Sequence, residues 1–112
     1  MSKRSDLINK YHQEMNTLNI SYDAALFEKV VIGCGPAIFT KDSETVSASS
    51  ETELKTVRQN FLIKKLGLAD TAELDKAIDE VIEKLGRSNK HKYRAIFYYL
   101  LVEKFKKASV YA

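Results

Sequence analysis

The sequence predicts an all-α fold, an irregular bundle of about five helices with the C-terminal helix at its centre. Three observations carry this. One proline and four glycines in 112 residues give too little punctuation for a many-stranded sandwich or barrel. Apolar side chains recur at helical spacing along most of the chain. Residues 95–102, Ala-Ile-Phe-Tyr-Tyr-Leu-Leu-Val, are apolar without a break and lie between two basic flanks. Wound as a helix, Tyr93, Ile96, Phe97, Leu100 and Leu101 form one stripe, while Tyr98, Tyr99 and Val102 cover the opposite flank. A rod apolar nearly all round belongs in an interior or in a seam shared with a partner.

The elements follow in order. Ser5 caps a helix over 5–18, where Leu7, Ile8, Tyr11, Met15 and Leu18 share a face and Asp6 suits the positive end of the dipole. Asn19-Ile20-Ser21 breaks it. Ser21 then caps a helix over 22–32, with Tyr22, Leu26, Phe27, Val30 and Val31 inward and Gly33 at its end. Residues 33–50 are open to two readings. Pro36 starts a short helical turn followed by a polar loop, or 37–40 and 45–48 pair as a small hairpin within 36–48. Ser50-Glu51-Thr52-Glu53 is a capping box opening a helix over 51–66, with Leu54, Val57, Phe61 and Leu62 inward. Asp70-Thr71-Ala72-Glu73 repeats that logic for 71–85, whose stripe is Leu74, Ala77, Ile78, Val81, Ile82 and Leu85. Ser88 or Asn89 caps the last helix, 89–107, and Val110 and Tyr111 pack the tail back.

A chain of this length forms one domain, here 1–112, around a single core. Its net charge of +3 is unevenly spread, because 68–86 carries two basic and six acidic side chains while 87–112 carries seven and one. Neighbouring helices usually pack together, so the fold itself can answer much of the basic field. Met1 to Asp6 lead into an amphipathic pattern with no apolar signal region, and no run approaches the ~20 residues a membrane helix needs. A lone cysteine, Cys34, allows no intrachain disulfide. A cytoplasmic setting is expected.

Gly35-Pro36-Ala37-Ile38 with Asp42-Ser43-Glu44-Thr45-Val46, the run Asn60-Phe61-Leu62-Ile63-Lys64-Lys65-Leu66-Gly67, and Lys92-Tyr93-Arg94-Ala95 with Tyr98-Tyr99 together resemble a bacterial domain-of-unknown-function family. Its members are small single-domain proteins, so the resemblance covers nearly the whole chain. It implies a helical fold and a bacterial cytoplasmic setting, and it brings no activity or catalytic residues.

The chemistry-bearing candidates have plain structural explanations. Gly33-Cys34-Gly35-Pro36 lacks the strand before it and the Gly-Lys-Ser/Thr after it that a phosphate loop needs, and reads as a helix end and turn around a small thiol. Cys34 has no histidine nearby in sequence, with His12 and His91 as distant partners for a nucleophile. Asp75, Asp79 and Glu83, with Glu80 beside them, align on one helix face and read as a solvated or charge-matched surface rather than a cation site. Two histidines and one cysteine do not make a zinc site.

These features predict a non-catalytic interaction module that self-associates or binds a partner protein through Tyr98, Tyr99, Val102, Val110 and Tyr111. The alternative is nucleic-acid binding through Arg87, Lys90, Lys92 and Arg94, where Gly86-Arg87 and the start of the last helix superficially match a helix-turn-helix. No cofactor, metal or membrane is expected.

Overall fold

Leu7, Tyr11 and Met15 recur one turn apart and are buried on α1, Arg4–Thr17, in a computed structural model that describes residues 4–89 and 92–111, the side chains of Lys41 and Asp42 excepted. Asn19 ends this helix in the left-handed region at φ 57°, and Ile20 turns in to join the core. The next helix, α2, is Ala24–Gly33. Its cap is Asp23 rather than Ser21, because the Asp23 carboxylate accepts from the amides of Ala25 at 3.0 Å and Leu26 at 3.2 Å. Leu26, Phe27, Val30 and Val31 are buried along it, as the spacing predicts.

The helical alternative holds for the segment after α2. Pro36 lies in a tight 3₁₀ helix, Gly35–Phe39, and a single α-turn follows, Lys41–Glu44. The expected hairpin is absent because Thr45 pairs with a distant partner. An antiparallel bridge joins it to Tyr93, and the Val46 amide donates to the Lys92 carbonyl at 2.8 Å. Glu44 ties this turn to α1 by accepting from Lys10 and from the Tyr11 hydroxyl, each at 2.6 Å.

Helix α3 begins as Glu51–Thr56 and continues as a wider π-helix, Val57–Lys65. Ser50 caps it as predicted, its hydroxyl accepting the Glu53 amide at 3.2 Å. The other half of the expected box does not form, because the Glu53 side chain pairs with Arg94 instead. Val57, Phe61, Leu62 and Leu66 are all buried. Their spacing of four and five suits i→i+5 winding, which keeps all four on one side. Helix α4, Ala72–Leu85, buries each of its six predicted stripe residues. Thr71 precedes it without a side-chain cap bond, since the neighbouring Asp70 pairs with Arg58.

The last helix, α5, is Arg94–Lys104, several residues shorter at its start than the predicted 89–107. The strand-like bridge holds Tyr93 extended at φ −60°, ψ 133°, so helical winding begins only after it. Helix α5 packs against α1, α2 and α4 and lies at the centre of the bundle. Seven of the eight residues in 95–102 are buried, so the apolar run is the core of this chain. A 3₁₀ turn, Ala108–Tyr111, then folds back onto α2.

Candidate functional site

The buried guanidinium of Arg94 organises one of the clefts of the bundle. The extended Tyr93 places Arg94 at the first position of α5, beneath the Lys41–Glu44 turn and beside α3. Its Nε donates to the Ser43 carbonyl at 2.7 Å, one terminal nitrogen donates to the Tyr98 hydroxyl at 2.8 Å, and the other pairs with Glu53. Arg94 is only 8% exposed. These three partners come from three separate elements, so Arg94 clamps the turn, α3 and α5 together. A buried charge held by several hydrogen bonds is an expensive group to desolvate, and it persists only where its partners are well placed.

The cleft around it has a volume of about 370 Å³. Gly33, Cys34 and Ala37 form one side, at the end of α2 and the start of the 3₁₀ helix. Thr56, Asn60, Phe61 and Lys65 come from α3, and Tyr98 from α5. The Tyr98 ring stacks on Phe61 with centroids 3.9 Å apart and planes 14° from parallel. Tyr111 closes the remaining side. A Cβ at Gly33 would sit 3.0 Å from the Tyr111 ring, so the bare glycine backbone makes the seat for that ring. The Lys65 ammonium lies 5.2 Å from the centre of the same ring. Three large apolar side chains stay exposed within two residues of this lining: Ile32, Phe39 and Val110.

Burial sets the protonation states. It pushes the Cys34 thiol up to about 11, with the Arg94 charge opposing only in part, so the thiol stays protonated at neutral pH. Burial likewise pushes Tyr111 up to about 12, with Cys34 and Tyr98 adding to the effect. Tyr98 also rises through burial, with Arg94 pulling the other way. For Arg94, burial works against the charge, but Tyr98 and Glu53 more than offset it and hold the guanidinium above its ordinary value. The cleft therefore presents neutral tyrosine hydroxyls, a neutral thiol, two cations and one carboxylate.

The predicted partner-binding residues divide in two. Tyr99, 1% exposed, and Val102, fully buried, belong to the chain's own core, which corrects their assignment to a docking face. The Tyr99 hydroxyl is engaged by the Asp23 amide at 2.7 Å, and its ring packs edge-on against Phe27 and Tyr22. Tyr98 and Tyr111 meet at the cleft, and Val110, next to Tyr111 in the chain, is exposed. Of the predicted nucleic-acid residues, Arg87 and Lys92 are neighbours, while Arg94 lines the cleft. Arg87 pairs with Asp79 and Glu83 on α4, both at 2.6 Å. Lys92 is buried, donating to the Arg87 carbonyl at 3.0 Å and also to the Asn89 carbonyl, and burial lowers its pKa. Arg94 is buried in the cleft, and Lys90 lies outside the described residues. The acidic stripe is charge-matched: Asp75 meets Arg58, Asp79 and Glu83 meet Arg87, and Glu80 meets Lys104. Among the described residues no cluster of three or more His, Cys, Asp or Glu is placed to hold a metal ion. Nor is any helix among them long and apolar enough to cross a membrane.

Sequence reasoning did not select Glu53, Asn60, Phe61 or Lys65 as site residues. The signal was available in the segments behind the family resemblance, because each sends at least one residue here: Ala37, Ser43, Asn60 with Phe61 and Lys65, and Arg94 with Tyr98. Fold and site together define a small all-α protein built around a central apolar helix, with a clamped arginine in a surface cleft. The chain belongs to a family described as a protein of unknown function, DUF2853, whose sequence profile matches residues 10–109. A search among curated proteins finds no match.

Proposed function

We propose that the protein is a non-catalytic binding module whose working surface is the Arg94 cleft, and that its partner is another protein. The observation behind this reading is the meeting in one cleft of the buried Arg94, the stacked Phe61 and Tyr98 rings and the Tyr111 ring. Concave sites with an apolar wall and a few fixed polar groups are where recognition concentrates. Enzymatic chemistry has less support. The Cys34 thiol is held protonated, and His12 is occupied with the Tyr22 hydroxyl on another part of the bundle. The nucleic-acid alternative is weakened because Arg87, Lys92 and Arg94, three of the four residues it names, already serve partners within the chain.

An NMR screen with neutral, cationic and anionic fragments tests the reading. Hits should cluster on resonances of 33–37, 56–65, 94–98 and 111. Hits confined to another surface, or no hits, would remove its basis.

A further inference from the structure

The chemistry of the cleft also states what it should take. Three of the five Arg94 N–H groups have partners, leaving two. The Tyr98 hydroxyl accepts from Arg94, so its proton remains to be donated. Among the described residues no acceptor meets the Tyr111 hydroxyl, and no carboxylate pairs with Lys65. Unpaired donors thus face the cleft, beside Thr56 and Asn60, whose side chains can donate or accept. The charge count sharpens this. Arg94 and Lys65 give two positive charges and Glu53 takes back one, so the cleft carries one net positive charge. A monoanion matches that balance, whereas a phosphate dianion would leave excess negative charge beside Glu53. The stacked Phe61–Tyr98 pair and the Tyr111 ring offer apolar surface next to the donors.

We infer that the cleft binds a carboxylate carried next to an aromatic or aliphatic side chain, presented by a peptide segment of the partner. This rests on the reading of the cleft as the binding surface. In it, Lys65, Tyr98 and Tyr111 donate to the carboxylate, and Arg94 supplies a fixed positive field while holding Tyr98 in place. The apolar side chain lies against the Phe61, Tyr98 and Tyr111 rings.

Titrations of the full chain with N-acetylphenylalanine, N-acetylphenylalaninamide, hydrocinnamate and inorganic phosphate, followed by ¹H–¹⁵N NMR, test this. N-acetylphenylalanine should shift cleft resonances and bind at least tenfold more tightly than its amide or than phosphate. Lys65→Ala should weaken it severalfold, and Lys64→Ala, one residue away and outside the lining, should not. Tyr98→Phe should weaken it too, with an otherwise native spectrum as the check on folding. Preference for hydrocinnamate over N-acetylphenylalanine would overturn the peptide source. Equal binding of acid and amide at the cleft, or tighter binding of phosphate there, would overturn the carboxylate inference while leaving the cleft a binding surface. Absence of cleft shifts with all four probes at millimolar concentration would overturn both.

Discussion

Glu53 shows how one carboxylate can serve either its own helix or the whole fold. Its position three residues after Ser50 suits a capping box, yet its side chain leaves the helix end and pairs with Arg94, 41 positions away in sequence. Ser50 alone then caps α3. The exchange is physically reasonable, because an uncompensated buried guanidinium is a larger penalty than one exposed helix-end amide. Glu53→Ala should therefore destabilise the protein by about 2–4 kcal/mol in urea unfolding. The double variant Glu53→Leu with Arg94→Met should be distinctly less destabilised than that single change, because it removes both charges. A double variant as damaged as Glu53→Ala would show that shape, rather than charge compensation, governs the site.

At the level of elements, what could be read in the sequence divides by range. The inward face of helix α4 was legible, since Leu74 to Leu85 keep one period, although its predicted cap did not form. The same holds for the break at Asn19 and for the apolar face of α2. The start of α5 was not, because Tyr93 is held extended by Thr45, and a pairing across 48 positions leaves no local pattern. The π-helical part of α3 lay in between. Val57, Phe61 and Leu62 were recognised as inward, but their spacing also fits an α-helix, so the wider winding was invisible. The cleft followed the same rule: Tyr98, Tyr111 and Arg94 drew notice for other reasons, whereas their meeting with Lys65 and Glu53 is a tertiary fact. The bridge offers a test at this scale. Val46→Pro removes the amide that donates to Lys92. It should destabilise the protein by about 2–3 kcal/mol and speed amide exchange over the first turn of α5 more than over α4. Uniform exchange changes across both helices would argue that the bridge does not set where α5 begins.

For the molecule as a whole, alkaline pH is the informative variable. Cys34 rises on folding from its ordinary 9.0 to about 11, and Tyr111 from 10.0 to about 12, both mainly through burial. Each group then holds its proton more tightly folded than unfolded. The associated stability is complete below about pH 9 and drains away as pH climbs through about 11 and 12. Urea midpoints should fall between pH 8 and 10.5, with a loss on the order of 2 kcal/mol from these groups together. Cys34→Ala should show a shallower decline. A midpoint that stays level to pH 10.5 would contradict the burial of these groups. The charge layout makes a complementary point, because the acidic stripe of α4 meets Arg58, Arg87 and Lys104 within the chain.

The seat of Tyr111 against Gly33 has a practical corollary. The final 3₁₀ turn rests its ring in a notch that exists only because residue 33 has no side chain, and that ring forms one wall of the cleft. A hexahistidine tail or a fluorescent reporter attached directly to Tyr111 would therefore start at the cleft's doorstep and crowd it.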